Sequence, residues 1–181
     1  MPKASHAGLA RNAVAMRSIS FRFGSDLSVS HMARLFRDNG RIGNDWHENK
    51  TALFHHPASE MLHEGRKALL DAGKPITTGG LMAELSFGFW VTILGLKYDT
   101  SLWIPVLRHA FSHRPRRTER HQVQGALNAI RRLRNRVAHH EPIMHRQLDE
   151  DHDLILRVIY WSCPETSKWV ESQSRFPSIL G

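Results

Sequence analysis

Apolar residues recur along this chain at the three- and four-residue spacing of helices, and no useful stretch alternates with period two. Leu9, Ala13, Met16 and Ile19 form a first stripe. Met32, Leu35 and Phe36 form a second, behind a Ser28 or Ser30 cap and ahead of Asp38-Asn39-Gly40. Pro57 and Ser59 introduce a helix through Ala72, with Met61, Leu62, Ala68 and Leu69 inward and Gly73 and Pro75 as its stop. Thr77 or Thr78 caps the next helix, expected to run to about Leu96. It is apolar nearly all round (Leu81, Met82, Leu85, Phe87, Phe89, Trp90, Val91, Ile93, Leu94), which places it at the centre of a bundle or in a subunit interface. After a turn at Tyr98–Ser101, helix is expected over Leu102–Phe111, with Pro105 tolerable in its first turn. Thr118 or Glu119 opens a helix that Pro142 closes. Asp149 caps another through Ser162, carrying Leu154, Ile155, Val158, Ile159 and Trp161. Pro164 starts a short last helix anchored by Trp169, and Phe176 and Leu180 form an arm. The pattern predicts an all-α protein.

The helix before Pro142 carries the densest collection of ionisable side chains. At about 100° per residue, Val123, Leu127, Ile130, Leu133 and Val137 share one side. Arg131, Arg132, Asn135 and Arg136 spread over the flanks and back, and His139 falls opposite the apolar side. Arg134 lies about 40° from the centre of that side. An arginine there is either a snorkelling stem, half of a buried ion pair, or an anion site beside a histidine that can move protons near neutral pH. Glu84, a carboxylate among apolar neighbours, is the candidate partner for Arg134 if it does not simply face solvent.

Composition narrows the setting. The 181 residues suit one globular unit, and the formal charge of +8 comes with an excess of arginine, whose planar fork matches phosphate. A basic chain of this size fits a nucleic-acid partner or a basic, solubilising surface. The single cysteine, Cys163, makes no internal disulfide and reads as a buried thiol in a reducing cytoplasm. No stretch is long and apolar enough for a bilayer, and the N-terminus has no apolar segment of the signal-peptide kind, so a soluble cytoplasmic protein is expected. The loop from Ser112 to Arg120 carries Arg114, Arg116, Arg117 and Arg120. These, with Arg131, are candidate phosphate contacts; the loop has no aromatic residue for base stacking.

Thirteen histidines raise the question of a metal. His139, His140, Glu141 and His145 do not fit the His-Glu-x-x-His spacing: the next histidine comes one residue late, and Pro142 breaks the helix that site needs. Gly79-Gly80 lacks the Lys-Ser/Thr of a phosphate loop. Neither a metal nor a cofactor is expected.

Leu133-Arg134-Asn135-Arg136-Val137-Ala138-His139-His140-Glu141-Pro142-Ile143 resembles the signature of the Abi-like (abortive infection) family of the HEPN superfamily, many of whose members are metal-independent ribonucleases. Arg134, Asn135 and His139 match its Arg, polar residue and His in order. Gly80–Trp90 and Tyr98–Trp103 add to the likeness, which covers about residues 76 to 162. Arg and His at the same spacing recur at Arg108/His113 and Arg116/His121, so the weight lies in the Asn, the amphipathic helix and the long flanking match.

The resemblance implies a HEPN-like helical bundle over residues 76–181 with a C-terminal arm, and a helical extension over 1–75 packed on it. It implies an RNA endonuclease acting in phage defence or as a toxin, or else a non-catalytic HEPN-like module that binds RNA or protein. Arg134, Asn135 and His139 would be catalytic, with Arg136, His140 and Glu84 accessory. His140 is the alternative to His139. The partners implied are RNA, a second copy of the chain completing a composite site, and an antitoxin.

Overall fold

The computed structural model describes residues 53–143 and 145–176, and the stripes expected in the first 52 residues, like Leu180, lie outside them. The described chain is helical and, among those residues, contains no strand. It divides into two compact units, one holding residues 53–110 and the other residues 111–143 and 145–176.

In the first unit, α1 (Ala58–Asp71) packs on α2 (Thr78–Glu84) and α3 (Phe87–Thr92). Leu62 and Leu69 are buried as their spacing predicts, whereas Ala68 is exposed. Gly65 lets α1 approach α2: a Cβ there would meet Leu81 Cδ1 at 3.2 Å. The helix ends in a Schellman motif. Gly73 adopts φ 66°, its N–H donates to the Leu70 carbonyl (2.9 Å), and the Lys74 N–H donates to Leu69 (2.9 Å).

The single helix expected from Thr77 to Leu96 is broken. Thr77 caps α2 by accepting the Gly80 N–H at 3.0 Å. Leu85 and Ser86 are then extended, with ψ 126° and 158°. Ser86 stands at the N-cap of α3, a position serine prefers to a helix interior, and Gly88 behind it adds no helical preference. The corner suits a segment apolar on all sides, because it turns Leu81, Leu85, Phe89, Trp90, Val91, Ile93 and Leu94 all into buried positions.

The helix expected at Leu102–Phe111 is also replaced. A 3₁₀ turn at Leu96–Tyr98 leads into a π-helical turn at Asp99–Trp103, closed by the Ile104 N–H on the Asp99 carbonyl (2.9 Å). Pro105 has no N–H and crowds the carbonyl four residues back, so a regular α-helix cannot run through it. A 3₁₀ turn follows at Leu107–Phe111.

Tyr98 is fully buried and ties this segment to the residues before α1. Its hydroxyl accepts the His55 N–H (3.0 Å) and donates to the His55 carbonyl (2.9 Å). Burial raises the phenol above its usual pKa, against the backbone hydrogen bond to His55, which lowers it. The folded form therefore holds the proton more tightly than the unfolded chain. That contribution is complete below the unfolded tyrosine pKa of about 10 and is lost as pH rises through the higher folded value. Tyr98→Phe removes the acceptor of the His55 N–H, while the His55 carbonyl still accepts from the Ser59 N–H (3.2 Å), and is expected to cost about 1–2 kcal/mol in urea unfolding. It should also remove this group's share of the alkaline decline.

The second unit holds α4 (Arg120–Ala138), α5 (Leu148–Ser162) and α6 (Pro164–Gln173), with α5 packed on both others. The Glu119 N–H donates to Gln122 Oε1 at 2.8 Å and starts α4 where the sequence places it. Val123, Leu127, Ile130 and Leu133 are buried against α5, which contributes Ile155, Val158, Ile159 and Trp161. The His113 N–H donates to the Trp161 carbonyl (3.0 Å) and fastens the loop before α4 to the end of α5. After α6, the arm begins as expected: Phe176 stacks on His152 at 4.7 Å, and Ser174 Oγ lies 2.9 Å from His152 Nε2.

Two expectations for α6 are corrected. Ser167, not Trp169, is the buried residue; its hydroxyl donates to the Leu156 carbonyl at 3.0 Å, while Trp169 is 52% exposed. Cys163 is half-buried at the N-cap rather than enclosed, donating its thiol proton to Glu165 (3.4 Å) and accepting from Thr166 Oγ1 (3.2 Å). The Glu165 carboxyl is held below its usual range by its own backbone N–H and then by that thiol. No helix among the described residues is long and apolar enough to cross a membrane.

Candidate functional site

The buried stripe of α4 stops at Leu133. Arg134, Asn135 and Ala138 are exposed, and Arg136 and Val137 are half-buried, so the last turn of the helix stands beyond the packed part of its unit. This is why Arg134, close to the apolar side on a helical wheel, is not buried. A guanidinium on a long stem, where the buried stripe ends at Leu133, reaches water. Glu84, the last residue of α2, is exposed as well.

Arg134 and Asn135 are brought together: Arg134 Nη1 donates to Asn135 Oδ1 at 3.2 Å. His139 is the C-cap, at φ −95° and ψ 12°, and exposed. Its N–H still donates to the Asn135 carbonyl at 2.9 Å, so the helical path reaches it. The next residue reverses the chain. His140 has φ 56°, and among the described residues it alone outside glycine has positive φ. Its N–H donates to Val137 (3.3 Å), and the Glu141 N–H donates to Arg136 (2.8 Å). That is the Schellman pattern again, with His140 where α1 has Gly73. A side chain in this conformation costs about 1–2 kcal/mol that glycine avoids.

Beyond the reversal, the chain folds back onto Arg136. Its Nη1 donates to the Pro142 carbonyl (3.3 Å), lies 3.5 Å from His145 Nε2, and is 3.9 Å from Glu141 Oε2. Arginine has only donors, so in this contact only the ring nitrogen can accept. Arg146 then anchors the turn to α5: Nε and Nη2 donate to the two Asp151 carboxylate oxygens at 2.7 and 2.6 Å. The fork is partly buried, and the Asp151 hydrogen bonds hold the Arg146 guanidinium still more firmly protonated than usual.

The remaining basic candidates divide. Arg114 directs its guanidinium at backbone, donating to the Phe111 (2.9 Å) and Thr118 (3.2 Å) carbonyls, and so shapes the loop before α4. Arg120 donates to Gln124 Oε1 at 3.0 Å. Arg131 is half-buried on α4, and Arg116 and Arg117 are exposed. Arg146 and Asp151 carry no functional expectation in the sequence; an acidic first turn of α5 reads as helix-dipole compensation until an arginine is seen folded onto it. Among the described residues no three His, Cys, Asp or Glu side chains gather as a metal site.

No protein-family model, curated protein or solved structure matches this chain.

The use of His140 at a position α1 gives to glycine is testable. His140→Gly is expected to raise stability by about 0.5–1 kcal/mol, a Tm increase of about 1–4 °C in a thermal melt. His140→Ala keeps the strained backbone and should show no such gain. A glycine variant that melts below the parent would mean the ring contributes contacts worth more than the strain.

Proposed function

We propose that this chain is a metal-independent RNA endonuclease of the HEPN type, working at the exposed end of α4. The observation that carries the reading is the Arg134–Asn135 contact at 3.2 Å, one helical turn before an exposed His139 whose backbone is bonded to Asn135. A guanidinium, an amide and an imidazole, all open to solvent, are the groups that handle a phosphodiester in RNA.

In this reading an imidazole takes the proton of a ribose 2′-hydroxyl. The 2′-oxygen attacks the adjacent phosphorus, the bond to the 5′-oxygen breaks, and that oxygen takes up a proton. The products are a 2′,3′-cyclic phosphate and a free 5′-hydroxyl. Arg134 offsets the charge that builds on the non-bridging oxygens, and Asn135 orients either the phosphate or His139. DNA lacks the nucleophile and is spared.

Arg134 and His139 are five residues apart, which separates them by about 140° around the helix. One subunit therefore does not aim both at a single phosphate. A C₂ homodimer would supply Arg134 from one copy and His139 from the other, giving a composite cleft. The same separation favours a second reading, a HEPN-like module that binds RNA or a protein without cutting. Abortive infection, or toxicity restrained by an antitoxin, is the biological setting that the family likeness brings.

Mixing variants separates these readings. Arg134→Ala and His139→Ala, each inactive alone, should regain part of the activity after exchange of subunits, because a mixed dimer holds one intact pair. No recovery from a mixture shown by mass to contain mixed dimers would exclude the composite cleft.

A further inference from the structure

The arginine that shares a face of α4 with His139 is not Arg134. Counting back from His139, Arg136 is three residues away and Arg132 seven, which places them at about 60° and 20° from it around the helix. The helical hydrogen bond from His139 to Asn135 carries that geometry to the end of the helix. Arg132 and His139 are exposed, and the Arg136 side chain keeps 37% of its surface.

Arg136 is also braced. Its contacts with the Pro142 carbonyl, His145 Nε2 and Glu141 Oε2 all run through Nη1. The opposite edge of the guanidinium, Nε and Nη2, is the pair that grips a phosphate side-on. A brace on one nitrogen restricts the rotation of a long side chain, so less freedom is left to lose when an anion binds the other edge.

We infer that Arg132 and Arg136 form a phosphate-binding subsite on the His139 face of α4, within one chain and separate from the Arg134–Asn135 pair, and that it takes a backbone phosphate of a single-stranded RNA flanking the one being cleaved. This rests on the ribonuclease reading for the identity of the strand, but the anion site itself does not. Glu141 is the built-in competitor: its carboxylate, half-exposed, lies 3.9 Å from the same guanidinium. Arg136 is thus a binding residue whose setting is adjusted by the turn after the helix.

The test uses the full chain and a short 2′-O-methyl RNA, which cannot be cleaved, with affinity followed by fluorescence anisotropy over a range of salt. Arg136→Ala is expected to weaken binding about tenfold, the scale of one charge-assisted hydrogen-bonded contact. The plot of log affinity against log salt should flatten by about 0.7 for each phosphate no longer neutralised. Arg136→Lys keeps the charge without the fork and should fall between the two. Glu141→Gln should bind more tightly than the parent by severalfold. Circular dichroism and a melt identify any variant that has not folded; the lysine and glutamine variants then carry the test. Affinity and salt slope unchanged in Arg132→Ala and Arg136→Ala, or no binding of the probe by the parent chain, would overturn the subsite. Cleavage of ordinary RNA that persists in both His139→Ala and His140→Ala would overturn the ribonuclease reading and leave the binding result standing.

Discussion

Replacing His139 by alanine should reduce RNA cleavage by about 10²–10⁴-fold, the range that a positioned acid or base supplies. The effect should fall on kcat. His139 is exposed at the helix end, and its backbone N–H on Asn135 survives the substitution, so neither the cap nor the fold depends on the ring. The melt should stay within about 0.5 kcal/mol of the parent, as for surface changes in general. The same substitution at His140 separates the two imidazoles. Loss of activity in His140→Ala and His140→Gly, with His139→Ala active, would move the catalytic role to the strained residue. A large loss in His139→Ala alone assigns it to the C-cap.

Arg134→Ala is the second large effect, and here the structure changes what is expected. Were Arg134 half of a buried ion pair with Glu84, its removal would orphan a carboxylate and cost about 3–5 kcal/mol. Arg134 is exposed in its own unit, and its guanidinium meets Asn135. The variant should therefore fold as the parent does and lose about 10²–10³ in kcat, the size of one missing donor to a developing oxyanion. Urea unfolding and a cleavage assay on one preparation decide between these outcomes. A destabilised protein whose folded fraction keeps full activity would make Arg134 structural.

Much of this organisation is legible in the residues, and what is not has physical causes. The α4 stripe at Val123, Leu127, Ile130 and Leu133 follows from spacing alone. The helix itself ends at Ala138 and the chain reverses at His140, ahead of the Pro142 expected to close it. Val137 belongs to the same stripe but is only half-buried, because burial depends on where the neighbouring helix stops and not on periodicity. The segment from Thr78 to Leu94 reads as one helix because apolar residues fill every face. A wheel cannot show that Ser86 prefers a cap, or that a corner buries both sides. Pro105 is tolerable in a first turn, yet the π-helical turn ahead of it shifts the register and denies it that place.

In the site, Arg134, Asn135 and His139 are visible as a pattern. The roles of Arg136, His145 and Arg146 are not, since their contacts come from the chain reversal at His140 and reach across it. A left-handed residue that is not glycine leaves little trace in composition; the signal available was a helix ending without a glycine before a proline.

That reversal is what makes the end of α4 more than a helix terminus. It brings Pro142, Glu141 and His145 to one nitrogen of Arg136, and Arg146 with Asp151 fixes the far side. Salt-bridge bracing of this kind contributes little to global stability when exposed. Its effect is on placement: Arg136 is held on the His139 face, which Arg132 shares, while Arg134 lies about 140° away around the helix.

Cleavage without metal by the end of α4 is decided by the ends left on a labelled RNA incubated with the protein in excess chelator, run beside the His139→Ala variant. Fragments ending in a 2′,3′-cyclic phosphate and beginning with a 5′-hydroxyl are expected from the parent, and intact RNA from the variant. RNA that is bound but uncut by the parent, or cut equally by the parent, His139→Ala and His140→Ala, would contradict it.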